Sequence, residues 1–420
     1  MSPPKHGALP SLAAEEWLRA QETQAVLKAL TLAGYEARAV GGAVRNSLLQ
    51  RPVKDIDIAT TATPPEMIAA AHKAGLKTFE TGIEHGTITI VANHAPFEVT
   101  TLRRDEHTDG RHARVAFTSD WMQDASRRDF TINALYCDGE GTLFDPLGGY
   151  GDLNHRRVRF IGVPEDRIRE DYLRILRFFR FTAEYTAGEP DAAGLQASIA
   201  LKSGITQLSG ERRRVELLRI LSTARAPAIA CTMQDCGILA LALGTPSNAE
   251  LMARIAGLEK AGSAVPDPIL RLGAASLSKP GGAKVLRDSL KLSSNEYERL
   301  ARMALPDRAF DPASSETSAK AFLYRHGAQA FRDGVLLAWA RAKADELDPA
   351  WLQRLTLAHR WQAPELPVRG ADVLALGVPS GPEVGRILSA FEDWWIAADF
   401  PMTPALLSKR LQHMVTVTKS

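Results

Sequence analysis

The sequence contains little cysteine, no long apolar run and almost no net charge. Its three cysteines, Cys137, Cys231 and Cys236, have neither CxxC spacing nor a close histidine, which argues against a disulfide framework and a zinc site. No stretch of about 18 apolar residues occurs, so we expect no membrane-spanning helix. The first residues also lack the apolar run and small-residue cleavage site of a secretory signal. We therefore expect a soluble protein in a reducing compartment, the cytoplasm.

The charge balance gives no simple electrostatic argument for function. Lysine and arginine number 51, and aspartate and glutamate number 49, so the formal net charge is +2 at pH 7. Total charge therefore does not indicate a nucleic-acid partner, which would have to be bound by local basic surfaces. The 420 residues, 45% of them apolar, can bury a large core and exceed the usual size of one domain. We expect two or more domains.

The hydrophobic pattern changes along the chain from β-rich to helical. Ala13–Leu32, Ala43–Leu49 and Pro64–Ala74 have helical patterns, and the short apolar runs before residue 160 predict strands. The predicted strands are Glu36–Val40, Asp55–Ala59, Thr87–Ala92, Phe97–Leu102 and Ala134–Cys137. From Pro164 onward, leucine, alanine and arginine recur at helical spacing, so we expect the rest of the chain to be helical.

Two acids are separated by a single residue in the sequence Asp55-Ile56-Asp57. If this segment is a strand, its period of two places both carboxylates on one face and Ile56 on the other. Mg²⁺ takes one or two protein carboxylates and completes its shell with water and substrate phosphates, so the pair is a candidate metal and catalytic site. Glu98, on a later strand, is a candidate third acid. Alternating acids on a solvent-facing strand are the simpler interpretation of an isolated Asp-x-Asp.

A double glycine upstream of the two acids favours the metal site over the solvent-facing strand. Gly41-Gly42 follows an apolar strand and opens a helix that carries Arg45 in its first turn. Free backbone N–H groups at such a helix start can hold a phosphate, and a guanidinium adds charge. A Gly-Gly pair alone indicates only a turn. Its position before Asp55 and Asp57, in one strand–helix–strand passage, favours nucleotide binding.

The segment from Gly41 to Arg45, followed by Asp55 to Asp57, resembles the polymerase-β-type nucleotidyltransferase signature of the CCA-adding enzyme and bacterial poly(A) polymerase family. The resemblance implies an α/β polymerase-β-type head followed by an all-α neck, body and tail. The implied bounds are 25–162 for the catalytic head, 163–225 for the neck, 226–360 for the body and 361–420 for an RNA-binding tail. The family has aspartate after the arginine, where this chain has Asn46.

A second motif precedes an apolar strand and combines two cations, an acid and an amide. Its members are Arg127, Arg128, Asp129 and Asn133. Together they offer hydrogen-bond donors and acceptors, which suits the two hydroxyls of a ribose. A helix cap with a salt bridge would explain any two of them. The whole string resembles the ribose-recognition motif of the same family.

A third motif runs from Glu170 to Arg177 and opens a predicted helix, with Asp171 and Arg174 one turn apart on the same face. Cytosine and adenine both carry an amino donor beside a ring-nitrogen acceptor, which a carboxylate beside a guanidinium matches; uracil and guanine present a carbonyl there. An ordinary ion pair on a solvated helix is the alternative. The string resembles the nucleotide-selection motif of the family, in which Glu170 holds Arg174 in place and Arg177 belongs to the nucleotide site.

Two further segments resemble elements of the family with less specific chemistry. Ser209–Leu217 matches the last neck motif; its arginines Arg212 and Arg213, with Arg219 beyond it, are candidates for contacts to RNA phosphates. The basic connection over residues 103–114 matches a mobile loop near the active site, and a solvated surface loop explains it equally well.

The resemblance implies template-independent nucleotidyl transfer to the 3′ end of tRNA, adding C, C and A from CTP and ATP with two Mg²⁺ ions and releasing pyrophosphate. A poly(A) polymerase, or an enzyme that adds only CC or only A, is the alternative within the family. A non-catalytic RNA-binding protein on the same fold, or transfer to a small molecule, is the alternative of another class. We expect tRNA, CTP and ATP as partners, no membrane contact and no obligatory protein partner.

Overall fold

The computed structural model describes residues 9–109, 112–277, 281–305 and 308–419. These residues divide into two compact units. The first contains the described residues up to Arg225 together with Asp235–Ala242, and the second contains Ala226–Gln234 and the described residues from Leu243 onward. The finer division into head, neck, body and tail stays a prediction.

All strands of the described residues lie in the first unit. They are β1 (Ala37–Val40), β2 (Asp57–Thr60), β3 (Lys77–Phe79), β4 (Thr87–Ala92), β5 (Ala95–Thr101), β6 (Arg103–Asp109), β7 (His112–Phe117), β8 (Tyr136–Cys137) and β9 (Leu143–Phe144). Seven of them form a mixed sheet in the order β3-β4-β5-β2-β1-β8-β9, and β6 and β7 form a separate hairpin. β2 runs parallel to β5 and antiparallel to β1. The strands that carry the predicted acids are therefore direct neighbours.

Helices cover one face of this sheet. The helices up to residue 243 are α1 (Glu16–Arg19), α2 (Gln21–Leu32), α3 (Gly42–Leu48), α4 (Pro64–Lys73), α5 (Trp121–Ser126), α6 (Gly149–Asn154), α7 (Pro164–Glu170), α8 (Leu173–Tyr185), α9 (Ala192–Ala200), α10 (Gly210–Leu221), α11 (Ala226–Asp235) and α12 (Ile238–Leu243). Both α2 and α4 contact β4, whose Ile88 and Ile90 are fully buried. The alternate residues of β4, Thr87 and Thr89, stay partly exposed on the opposite face.

The strand predicted to start at Asp55 begins at Asp57 instead. Its antiparallel neighbour β1 ends at Val40, opposite Asp57, because Gly41 turns the chain with a φ of 68°. Asp55 therefore has no partner on that side and precedes the strand. The long helix predicted near the N-terminus is also divided, because Ala20 has a ψ of 136° and separates α1 from α2.

Helix α6 starts in close contact with the turn that carries Asn133. A Cβ atom on Gly149 would lie 2.1 Å from the carbonyl oxygen of Thr131, so the two backbones can approach only with glycine at this position. The carboxylate of Asp145 accepts hydrogen bonds from the backbone N–H groups of Gly149, at 2.7 Å, and Tyr150, at 2.9 Å. This contact sets the position of the turn relative to the sheet.

The segment predicted as a mobile loop, residues 103–114, forms the β6-β7 hairpin over its described part. Arg103 pairs in register with Phe117 at the base of this hairpin. Gly110 and Arg111, which belong to the same prediction, lie outside the described residues.

The described residues of the second unit contain helices and no strand. Its helices after residue 243 are α13 (Ala249–Ala261), α14 (Pro268–Ser276), α15 (Gly282–Leu290), α16 (Ser294–Met303), α17 (Glu316–Ala342), α18 (Pro349–Arg360), α19 (Gly370–Ala375), α20 (Pro382–Ala397) and α21 (Pro404–Lys419). One hydrophobic cluster surrounds Phe322 and Phe331, and another surrounds Phe391 and Trp395. Across the described ranges, no helix is long and apolar enough to cross a bilayer. The predicted change from an α/β half to a helical remainder is confirmed.

Candidate active site

Asp57 and Glu98 lie side by side on the parallel strands β2 and β5. They are paired in register, so both side chains point to the same face of the sheet. Burial in the cleft, and then the negative charges of Glu98 and Asp55, raise the pKa of Asp57, while Arg128 opposes the shift. Asp55 belongs to this acidic group although it precedes the strand. The structure therefore places Asp57 beside Glu98, with Asp55 near enough for its charge to act on Asp57.

This acidic group has the chemistry of a magnesium site. Within the part of the chain that the structure describes, no three His, Cys, Asp or Glu side chains are close enough to hold a metal by themselves. Two carboxylates suffice for Mg²⁺, however, when phosphates and water complete the shell. A divalent cation at Asp55 and Asp57 would also relieve the repulsion that raises the pKa of Asp57. The residues present therefore fit the predicted ion.

The glycine turn leads into a short helix whose arginine is buried. Helix α3 begins at Gly42, directly after Gly41 with its positive φ. Arg45 contacts Oδ1 of Asn133 and donates from Nη2 to the hydroxyl of Tyr185 at 2.8 Å. Its Cζ atom lies 4.3 Å from the centre of the Tyr185 ring, within range of a cation–π contact. The guanidinium is thus fixed between α3, the turn with Asn133, and α8.

A buried aspartate outside the predicted motifs holds the two arginines of the second motif. Asp124, on α5, is 1% exposed and accepts hydrogen bonds from Nε of Arg127 at 2.9 Å and Nη2 of Arg128 at 3.0 Å. The hydroxyl of Tyr136 donates to the same carboxylate at 2.9 Å. Burial alone would raise the pKa of Asp124, but the charges of Arg128 and Arg127 hold the pKa below its ordinary value. Asp124 is therefore ionised and fixes the direction of both guanidinium groups.

Asp129 forms a second buried ion pair, with Arg177 of α8. Arg177 donates to it from Nε at 2.7 Å, and Asn133 donates from Nδ2 at 2.9 Å. Burial disfavours the charged form, but the charge of Arg177 and these hydrogen bonds hold the pKa of Asp129 below its ordinary value. The second and third motifs, which are far apart in the sequence, therefore meet in one ion pair.

Asp171 and Arg174 are not on one helix, so the prediction from their spacing was wrong. Asp171 lies between α7 and α8 with extended backbone, and its side chain accepts a backbone N–H group of α8 at 3.1 Å, as residues at helix starts do. Its carboxylate also accepts from Arg212 at 2.7 Å. Arg174 instead pairs with Glu170 and donates to the carbonyl oxygen of Arg127 at 3.3 Å. The contact between Glu170 and Arg174 that the resemblance implied is present.

The predicted residues converge on two cavities that share Asp57, Arg127 and Arg128. The first cavity, of about 450 Å³, is lined by Gly41, Gly42, Arg45, Asp57, Arg127, Arg128, Asp129, Asn133, Asp171, Arg174, Arg177, Arg180 and Phe181. The second cavity, of about 280 Å³, is lined by Val40, Asp57, Ile58, Ala59, Thr87, Glu98, Thr100, Thr101, Arg103, Asp124, Arg127 and Arg128. Asp55 and Glu170 line neither cavity.

Asp124 and Tyr185 were missed by the motif analysis, for different reasons. Asp124 precedes Arg127 and Arg128 by three and four residues, which is a recognisable helical spacing. Tyr185 has no such signal, because its partners Arg45 and Asn46 lie some 140 positions earlier in the chain. Its hydroxyl lies 3.2 Å from the side-chain oxygen of Asn46, so the residue that replaces the family's aspartate packs against α8.

Glu216, the acid of the neck motif, contacts helix α8 through Arg180. Glu216, on α10, is buried and accepts a hydrogen bond from Nε of Arg180 at 2.6 Å. Arg180 lines the first cavity, and its Cζ atom lies 4.2 Å from the centre of the Phe181 ring. Glu216 therefore fixes the position of Arg180.

Comparison with known proteins agrees with this geometry. Residues 37–159 match the family described as the Poly A polymerase head domain. The CCA tRNA nucleotidyltransferase 1, mitochondrial, of Mus musculus is 36% identical over 376 residues, which cover 88% of this chain and 84% of the mouse protein. The CCA-adding enzyme of Limosilactobacillus fermentum is 31% identical over 372 residues, which cover 87% of this chain and 89% of that enzyme.

A solved structure extends the similarity to the fold. The Bacillus stearothermophilus CCA-adding enzyme in complex with CTP superposes with a TM-score of 0.67 at 26% identity, covering 90% of this chain and 93% of that one. The predicted fold class, a nucleotidyltransferase head followed by a helical region, is confirmed, and so is the predicted enzyme class. The chain belongs to the family of CCA-adding enzymes, the CCA tRNA nucleotidyltransferases.

Proposed function

We propose that this chain adds C, C and A to the 3′ end of tRNA from CTP and ATP, without a nucleic-acid template and with release of pyrophosphate. The observation that carries the proposal is the first cavity, where the glycine turn, Asp57 and both recognition motifs meet. Relatives named as CCA-adding enzymes share its sequence over most of their length, and one from Bacillus stearothermophilus binds CTP.

Enzymes of this family use divalent metal ions, and magnesium is the ion that suits the donor set here. Asp55 and Asp57 would hold it, and Glu98, in register with Asp57, would complete the acidic group. When bound, Mg²⁺ neutralises triphosphate charge and lowers the pKa of the attacking hydroxyl.

The first cavity offers separate contacts for the phosphates and the sugar. The backbone N–H groups at the start of α3, with Arg45 beside them, would orient the triphosphate. Arg128, fixed by the buried Asp124, and Asp129, fixed by the half-buried Arg177, would hold the ribose hydroxyls. The 3′-hydroxyl of the RNA then attacks the α-phosphorus in line, and the bond to pyrophosphate breaks as the new ester bond forms.

Base selection would come from Asp171 and Arg174. Asp171 would accept from the amino group of cytosine or adenine, and Arg174 would donate to the neighbouring ring nitrogen. Uracil or guanine would leave a polar group unpaired, at a cost of about 1–3 kcal/mol. Glu170 keeps Arg174 in place, whereas Asp171 would have to exchange its present partner, Arg212, for the base.

Product length tests the proposal. A tRNA that lacks its terminal CCA should gain three nucleotides with CTP and ATP, two with CTP alone and none with ATP alone. Long A tails on unrelated RNA would indicate a poly(A) polymerase, and addition that stops after CC or requires a CC end would indicate a partial enzyme. No incorporation at any Mg²⁺ concentration would favour the non-catalytic RNA-binding alternative.

The cytoplasm is the compartment that suits the three free cysteines, because disulfides are rare there. Relatives in animals are named as mitochondrial. Cell fractionation followed by the tRNA extension assay on each fraction tests this part of the proposal.

A further inference from the structure

The second cavity is lined from β1, β2, β4 and β5, and neither Gly41 nor Gly42 lines it. In the sheet, β2 is flanked by β1, which leads into the turn, and by β5, which carries Glu98. The second cavity extends towards β5 and β4, where Thr100 and Thr87 lie opposite each other with their hydroxyl oxygens 2.9 Å apart. It has no part in the nucleotide contacts proposed above, apart from the three residues that the cavities share.

A row of residues crosses the sheet from this cavity to its edge. Phe79 pairs in register with Thr89, Thr89 with Glu98, and Glu98 with Asp57. Residues in register have their side chains on the same face, so Phe79 and the two acids share a face. At the usual spacing between strands, Phe79 lies about 10 Å from Glu98.

This part of the face is polar and open to solvent. The opposite face of the same strands carries Ile88, Ile90 and Val99, all fully buried. On the open face, Glu98 is exposed and Phe79 is 54% exposed, although it belongs to the edge strand of the sheet. An accessible aromatic ring beside hydroxyl groups is a platform of the kind on which unpaired bases stack.

The geometry of the reaction indicates from which side the RNA acceptor approaches Asp57. In an in-line displacement, the attacking hydroxyl and the leaving pyrophosphate lie on opposite sides of the α-phosphorus. With the triphosphate at the glycine turn, the acceptor reaches Asp57 from the β5 side, through the second cavity. Arg103 also lines that cavity, and a guanidinium group there can contact a phosphate of the RNA backbone.

We infer that the open face of β3, β4 and β5 binds the unpaired 3′ end of the acceptor RNA. We call it the acceptor face, and it comprises Phe79, Thr87, Thr89, Glu98 and Thr100. The hydroxyls of Thr87 and Thr100 contact the terminal nucleotide beside Glu98, and the ring of Phe79 stacks on a base further from the 3′ end. This assignment rests on the proposed function, because it requires an RNA acceptor.

Substitution of Phe79 tests the assignment in the full-length protein. Phe79→Ala should raise the KM for a tRNA lacking CCA about 5-fold to 100-fold, the range expected for a lost base stack, with the KM for CTP unchanged. Phe79→Trp should restore the wild-type KM for tRNA, since a larger ring stacks equally well. Leu32→Ala is the matched control, because Leu32 is 86% exposed on α2, at the covered side of the sheet, and should have no effect.

A photoreactive benzoylphenylalanine at position 79 gives a second measurement that does not depend on turnover. It should cross-link to the last few nucleotides of the tRNA, whereas the same group at position 32 should not. An unchanged KM for tRNA in Phe79→Ala, or cross-links only to the paired acceptor stem, would overturn the assignment. If the wild-type protein fails to extend tRNA, the proposed function fails, and the cross-link to a single-stranded RNA probe still decides whether this face binds RNA.

Discussion

The residues proposed to hold the ribose and those proposed to read the base are fixed in different ways. On the sugar side, Asp124 and Asp129 are buried, and each accepts several hydrogen bonds. On the base side, Asp171 and its partner Arg212 are 33% and 48% exposed. Breaking a buried pair leaves an uncompensated charge, whereas an exposed pair contributes about 0–1 kcal/mol. Because CTP and ATP share a ribose but differ in the base, a fixed sugar site beside an adjustable base site suits an enzyme that accepts both.

The largest effect is expected at Asp57, which lines both cavities. Asp57→Asn removes a charge from the acidic group, so incorporation of CMP and AMP should both fall on the order of 10³-fold, equivalent to several kcal/mol of lost metal-assisted stabilisation. Single-turnover rates with saturating nucleotide measure this loss. Near wild-type rates would remove the basis for treating Asp57 as the centre of either cavity.

Breaking the fixed side should cost both stability and activity. Asp124→Ala leaves Arg127 and Arg128 without their buried partner, so the free energy of unfolding should drop by about 3–5 kcal/mol. The catalytic efficiencies with CTP and ATP should fall by equal factors, because neither base is contacted. Urea unfolding and parallel kinetics measure the two effects.

Asp120→Asn serves as the control for that substitution. Asp120 lies at the start of the same helix and caps it through its side chain, a role that asparagine also fills. Unequal losses for CTP and ATP in Asp124→Ala would contradict the separation of sugar and base recognition.

Breaking the adjustable side should change selectivity more than stability. Asp171→Ala or Arg174→Ala should reduce discrimination against UTP and GTP about 5-fold to 100-fold, since the groups that reject a carbonyl edge are lost. Misincorporation on tRNA lacking CCA, with each nucleotide supplied alone, measures the change. Unaltered exclusion of UTP and GTP would show that other residues read the base.

The smallest effect is expected from the exposed partner itself. Arg212→Ala frees the Asp171 carboxylate, and because the exposed pair is worth at most about 1 kcal/mol, CTP should bind no more than roughly 5-fold tighter. Arg219→Ala, exposed on the same helix, should leave the affinity for CTP unchanged. Isothermal titration with CTP compares the two variants, and weaker binding in Arg212→Ala would mean that Arg212 holds Asp171 in its productive position.

Local features of the site could be predicted from the sequence. The turn at Gly41 and a strand carrying Asp57 could be predicted, because glycine conformation and strand period are decided within a few residues. The start of that strand was misplaced, since Asp55 precedes it. Glu98 could be named as a candidate third acid because it lies on a predicted strand, and the structure pairs that strand with β2.

Features that depend on distant partners could not be predicted in the same way. Asp171 was placed in a helix, but its side chain caps α8 and its carboxylate pairs with Arg212 from another helix, so the backbone there is extended. Tyr185 reaches Arg45 only after the head sheet and α8 have packed. Periodicity reports local geometry and contains no information on such contacts.

The contact between Gly149 and the carbonyl of Thr131 has a consequence for how this chain tolerates mutation. Gly149 lines neither cavity, yet any side chain there would push back the turn that presents Asn133 and hence disturb its hydrogen bond to Asp129. A screen of random variants should therefore find position 149 as intolerant as the acids themselves. The constraint at position 149 is steric, and the backbone transmits it to the residues proposed to hold the ribose.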